Sequence, residues 1–129
     1  MNIQYEIKTK KAFEDAVLAV KDSVQLFNFK ILWEFDINEK LSENNISFKT
    51  PFKIIEVCNS KRTKDVLEQN ILVGYILPCK VVIYEKDNQV YIGMLNPTAL
   101  VHLIESEDLT QIAEDVENDL RKAVDLAAI

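Results

Sequence analysis

Few side chains carry the chemistry open to this sequence: two cysteines, Cys58 and Cys79, one histidine, His102, and carboxylates in close pairs such as Glu34 and Asp36. Thiolates bind soft metals and exchange disulfides, so two thiols brought together would form a redox couple or part of a metal site. Cys58 closes one apolar alternating run and Cys79 opens another. If the runs are antiparallel neighbours, the thiols meet at one end of a sheet. If the runs are parallel, seven residues at ~3.3 Å each hold the thiols roughly 20 Å apart. No Cys-x-x-Cys occurs, and a free cysteine is most often a small buried hydrophobe, which is the plainer reading of each. A closed zinc site takes four ligands. Cys58, Cys79 and His102 make three, and only two copies of the chain sharing a dimer axis would supply four sulfurs. No metal ligand set and no catalytic residue is assigned.

His102 sits beside Leu100 and Leu103, with Glu105 three residues on as an acid partner. A general base needs such a partner, but a surface histidine on a short helix accounts for the same residues. Glu34 and Asp36, two apart, share a strand face. Ile31, Trp33 and Phe35 on the other face are expected to point inward, leaving the two carboxylates in solvent. The acidic run Glu105, Glu107, Asp108, Glu114, Asp115, Glu117 and Asp119 reads as a solvated helical face. Lys61, Arg62 and Lys64 open a helix, where positive charge opposes the dipole. There they would hold an anion, lower the pKa of Cys58, or dock an acidic partner. Nucleophilic triads, dinucleotide-binding glycines and Walker loops are absent; Gly74 and Gly93 stand alone.

The elements that position these groups follow from periodicity. Ile3, Tyr5 and Ile7 alternate over residues 2–8 as in a half-buried strand. Thr9 offers an N-cap to a helix over Lys10–Phe27, whose stripe is Phe13, Ala16, Val17, Val20, Val24 and Phe27. Asn28 suits a left-handed C-terminal cap. Phe29–Phe35 reads as a second strand, and Asp36 with Glu39 as a capping box for a short helix burying Ile37 and Leu41. A third strand starts near Phe48 and runs through Phe52–Cys58, with Pro51 at an edge or entry. Asn59-Ser60 caps a helix over Lys61–Gln69 that buries Val66 and Leu67. Ile71–Leu77 is open between loop and strand. Val81–Glu85 and Gln89–Met94 flank Lys86-Asp87-Asn88 as a hairpin. Asn96-Pro97 starts a helix to about Ile104. Ser106 caps the last one, with Leu109, Ile112, Val116, Leu120 and Val124 inward. This order predicts an α+β two-layer domain, a largely antiparallel five-stranded sheet with the two long helices on one face.

At 129 residues, 48% hydrophobic and 28% charged, the chain is the size and composition of one globular domain, which excludes disorder and fibrous repeats. Fifteen basic against twenty-one acidic residues give a net charge of -6, which argues against nucleic acid as a partner. No basic and apolar leader opens the sequence, and no apolar run reaches the ~18–20 residues that cross a bilayer. A cytoplasmic protein with reduced thiols and no membrane partner is expected.

Three segments carry a resemblance: Phe29-Lys30-Ile31-Leu32-Trp33-Glu34-Phe35-Asp36, Pro51-Phe52-Lys53-Ile54-Ile55-Glu56-Val57-Cys58-Asn59 and Ile76-Leu77-Pro78-Cys79-Lys80-Val81-Val82-Ile83-Tyr84-Glu85. With Asn96-Pro97 in place of a usual Asp-Pro, the chain resembles the family called domain of unknown function 302. The resemblance spans almost the whole chain, and its cysteine-bearing segments are the most specific. It implies a small bacterial or archaeal two-layer α+β protein, often a homodimer, with no established activity, so no catalytic residue transfers. The chain departs from the family pattern at Trp33, where a small polar residue is common, and at Asn28, where glycine often precedes the strand. Trp33 would narrow a pocket along that strand.

The expectation is a homodimeric domain that binds a small ligand or a partner and buries against its twin either the sheet's edge or aromatics such as Trp33 and Phe35. Cys58, Cys79, Trp33 and Lys61 are its candidate ligand or thiol residues; the cofactor is unknown. The alternative is a thiol protein handling redox equivalents, metal or sulfur through Cys58 and Cys79. Half-exposed thiols with Cα atoms within ~6 Å favour the second reading. An apolar pocket holding neither cysteine favours the first.

Overall fold

The computed structural model describes residues 2–104 and 106–129. Strands β1 (Gln4–Thr9), β2 (Lys30–Asp36), β3 (Phe52–Cys58), β4 (Cys79–Lys86) and β5 (Gln89–Leu95) form one sheet in the order β1-β5-β4-β3-β2, every neighbouring pair antiparallel. Helices are α1 (Phe13–Leu26), α2 (Ile37–Ser42), α3 (Ser60–Gln69), α4 (Pro97–His102) and α5 (Thr110–Ala128), with 3-10 turns at Ile71–Tyr75 and Glu107–Leu109. The architecture is α+β, as the order of elements predicts.

The alternation along each strand decides which face is covered. Ile55, Val57, Val81, Ile83, Ile92 and Met94 share one face and are buried. Against them lie Ala16, Val17, Val20 and Val24 of α1 and Leu120, Ala123, Val124 and Ala127 of α5. A fully buried aliphatic side chain of this size contributes about 1.5–3 kcal/mol. α1 runs between strands at opposite edges of the sheet and so crosses this face.

Local chemistry sets the ends of the elements. Asn28 adopts φ 69°, the left-handed turn after α1. Asp36 caps α2 by accepting from the Glu39 N–H at 3.1 Å, and Asn59 caps α3 by accepting from the Arg62 N–H at 3.2 Å. Asp87 and Asn88, with φ 52° and 63°, make the two-residue turn between β4 and β5.

Several expectations are corrected. Thr9 does not cap α1, which starts at Phe13 instead of Lys10: it ends β1, its hydroxyl accepts from the Lys11 N–H at 3.2 Å and donates to the Ala128 carbonyl at 2.8 Å, tying β1 to the end of α5. β3 starts at Phe52 instead of near Phe48, with Pro51 at its entry. Residues 71–75 are a 3-10 turn, neither loop nor strand. Asn96 does not cap α4 with its side chain. Glu117 of α5 does so from across the layer, accepting from the Thr98 N–H at 3.1 Å and its hydroxyl at 2.7 Å. Ser106 likewise makes no side-chain cap, and α5 starts at Thr110 after the second 3-10 turn.

The largest correction is in β2. Ile31 pairs with Val57 but Trp33 pairs with Glu56, so Leu32 is an extra residue and the strand bulges there. The bulge reverses the inside and outside of everything after it. Ile31 keeps the helix side and packs on the core. Trp33 and Phe35 move to the opposite face, stacked at 6.0 Å, with Trp33 62% exposed. Glu34 moves to the helix-side face, where it stays exposed, as expected, but is paired with lysines of α1 and β3. Lys21 at 2.8 Å and then Lys53 at 3.2 Å hold its carboxyl below the usual range.

The face left open by α1 and α5 is aromatic. Phe52, Tyr84 and Tyr91 stack across three strands at 5.6 and 5.0 Å. The Tyr84 hydroxyl donates to Glu6 at 2.6 Å. Burial first and this hydrogen bond second push its pKa up to about 12.

Candidate functional site

A second cluster of buried residues lies apart from the main core. Val66 of α3, Val73 of the first 3-10 turn, Val101 of α4, Leu109 of the second turn and Ala113 of α5 form it. No single element carries enough apolar surface here, so two short helices, two 3-10 turns and the first turn of α5 converge on one end of the sheet. They leave a cavity of about 60 Å³ between themselves and the strand ends. Cys58, Cys79 and Leu95 close its sheet side, and Arg62 stands on its wall.

The strand pairing places the two cysteines. β3 ends at Cys58 because Asn59 begins the cap of α3, and β4 begins at Cys79 after the Leu77-Pro78 bend. Val57 is the direct partner of Cys79, so Cys58 lies one position further along the same ladder. With strands ~4.8 Å apart and a rise of ~3.4 Å per residue, the two Cα atoms are about 6 Å apart. The antiparallel alternative therefore holds: the thiols share one end of the sheet and one cavity. Both are free and half-buried. Consecutive strand positions point to opposite faces, which works against a direct bridge.

Burial, and secondarily the nearby Cys58, pushes the Cys79 thiol up to about 11. At neutral pH it is therefore a protonated, weakly nucleophilic group, not a thiolate. Arg62 does not offer a free charge to the cavity. Its guanidinium bonds Asp115 at 3.4 Å and Asp119 at 3.6 Å. The acidic face of α5 is thus partly engaged, contrary to the expectation of a wholly solvated run.

The remaining candidates are scattered. Trp33 sits on the open sheet face and narrows no part of this cavity. Lys61 is exposed and does not line the cavity. His102 is exposed at the end of α4, and its expected partner Glu105 lies outside the described residues. Among the described residues, no three His, Cys, Asp or Glu side chains gather as a metal-binding group. The cavity-lining aliphatics Val73, Ile76, Val101 and Ala113 were not singled out by sequence. For Val73 and Ile76 the one signal was the apolar run 71–77, which lacks strand alternation. The pair Asp115 and Asp119, four apart on a helix, could have been matched to Arg62.

The family model for a domain of unknown function, DUF302, matches residues 5–127. The chain belongs to the DUF302 family. A crystal structure of an uncharacterized conserved DUF302 protein from Bacillus stearothermophilus superposes with a TM-score of 0.94 at 35% identity, covering 100% of both chains. No curated protein matches it. The family description states no activity, so the geometry has to supply one. No described helix is long and apolar enough to cross a membrane.

Proposed function

We propose that this DUF302 chain is a homodimeric binding protein that takes a small apolar molecule into the cavity beneath α3, α4 and the 71–75 turn. The lining of the cavity carries the reading: aliphatic side chains surround it, its one arginine is neutralised by two aspartates, and the Cys79 thiol on its wall is protonated. A water needs roughly 10–15 Å³ of such space, so the cavity suits a ligand of about four or five non-hydrogen atoms. A cytoplasmic setting fits its two unpaired thiols.

The open sheet face supports the dimer. Its apolar belt Phe35, Ile54 and Val82 lies beside the stacked Phe52, Tyr84 and Tyr91. Strand parity puts Glu6 and Glu56 on this face together with Lys8, Lys80 and Lys86. A two-fold copy can set acid against base across such a face, whereas a polyanion would meet both signs.

The test of binding is a methyl NMR titration with xenon and with the straight-chain alcohols from butanol to octanol. Methyl signals of Val66, Val73, Val101 and Ala113 should shift saturably, and Ala113→Leu should abolish the shifts by filling the space. Absence of any saturable shift, or an equal response in the filled variant, overturns the reading.

A second reading, redox, metal or sulfur handling by Cys58 and Cys79, is favoured by both discriminators set out from the sequence: the two half-buried thiols have Cα atoms about 6 Å apart, and the cavity holds both of them. Against it stand their positions on opposite strand faces. It requires ionisation of Cys79. Native mass spectrometry of protein purified without chelator or reductant would reveal an adduct or metal that protects either thiol from alkylation.

A further inference from the structure

We infer that residues 71–77 are the gate of the cavity, opening locally while the sheet and the helices around them stay folded. The inference rests on the cavity being the binding site proposed above, and concerns how anything larger than its present space enters.

Compare how each wall is held. The strand ends belong to a hydrogen-bonded ladder of five strands. α5 buries Leu120, Ala123, Val124 and Ala127 in the main core. α3 is tied to α5 through Arg62 with Asp115 and Asp119. α4 is tied to α5 through Thr98 and Glu117, and its leading Asn96 donates to the carbonyls of Ile3 and Asn2.

Residues 71–77 have no such ties. Their amides bond locally: Leu72 to the Asn70 side chain at 3.0 Å, Val73 to the Asn70 carbonyl at 3.1 Å, and Ile76 and Leu77 to the Val73 carbonyl at 3.0 and 3.2 Å. Val73 is the one buried side chain among them, with Ile76 and Leu77 half-buried on the cavity. The outer side chains Ile71 and Tyr75 are 74% and 88% exposed, so moving them breaks little. Segments held by local hydrogen bonds and few buried contacts open at the low end of a protein's stability range.

Gly74 adds a second, independent argument. Its φ is not positive, and a Cβ there would meet only Leu67 Cδ2 at 3.6 Å, an ordinary contact. Neither backbone conformation nor space requires glycine. Its effect at this position is to leave the segment looser than alanine would.

The test uses Ala113→Cys, which places a thiol on the far wall of the cavity. It is labelled with iodoacetamide, and the modified peptides are resolved by mass so that Cys58 and Cys79 are read separately. Adding Gly74→Ala should slow labelling at position 113 about two- to fivefold. Val73→Ala should speed it at least tenfold. Rates should be insensitive to urea below 1 M, as local opening exposes little surface, and amides 72–77 should exchange hydrogen faster than those of α3 and α4. The inference is overturned if Gly74→Ala leaves the rate unchanged, if labelling follows the denaturant dependence of global unfolding, or if α3 or α4 exchanges first. No ligand enters this experiment. A gate that opens while the xenon and alcohol titration is silent would refute the binding reading alone.

Discussion

Cys79 links burial to pH in a way that one substitution isolates. Its thiol titrates near 11 in the folded protein against an ordinary value of 9. The folded state therefore keeps a proton that the unfolded chain releases. Stability is full below pH 9, falls as pH rises from 9 to 11, and levels above that. Two pH units at ~1.36 kcal/mol each make the loss on the order of 3 kcal/mol. Cys79→Ala removes this titration and, at pH 8, costs about 1 kcal/mol for the lost sulfur. The wild-type advantage should then shrink above pH 9 and reverse by pH 11. Tyr84 and Tyr5, like every other ionisable group, are common to both proteins and cancel in the difference. Urea unfolding at pH 8, 9, 10 and 11, followed by far-UV circular dichroism, measures it; Trp33 is exposed already and makes a poor fluorescence probe. A difference between the two proteins constant to about 0.5 kcal/mol across that range would refute the buried, protonated thiol.

Three further outcomes follow from the packing. Ile83→Ala, at a fully buried site in the sheet centre, should lower stability by about 2–5 kcal/mol in urea titrations. Val82→Glu places a charge on the open sheet face; if the proposed dimer forms there, sedimentation should show a dimer for the wild type and a monomer for the variant, with the circular dichroism spectrum unchanged. Glu34 is held below the usual carboxyl range by Lys21 and then Lys53, so its contribution is present near neutral pH and lost as pH falls through the acid range. Because the pair is half-exposed, Glu34→Gln should cost under about 1 kcal/mol at pH 7 and nothing at pH 2.

Much of the fold was legible because local chemistry repeats itself. Asp87-Asn88 accepts left-handed φ values and turns a hairpin; Asn28 ends a helix for the same reason. Asp36 and Asn59 each accept from the amide three residues on. The stripes of α1 and α5 identified the core face of both helices. The face of β2 was not legible. A single extra residue, Leu32, shifts the period-2 pattern by one, and no residue type announces a bulge. Trp33 was consequently expected to point inward, and the sheet face of Glu34 was reversed although its exposure was not.

What the chain determined by itself is therefore local: which of the longer segments are helices or strands, where those with clear caps or turns stop, and that two thiols stand at strand ends. What only the tertiary structure decided is relational. The β3–β4 pairing brings Cys58 beside Cys79 across 21 intervening bonds of chain order. Glu117 caps a helix nineteen residues before it, and Arg62 finds Asp115 and Asp119 on another helix. The cavity itself belongs to α3, α4, two 3-10 turns, the start of α5 and the strand ends, none of which encloses space alone. Propensity and capping act over three or four residues, whereas a pocket is the gap left when distant side chains pack. Its existence and its lining emerge only once strand order and register are set.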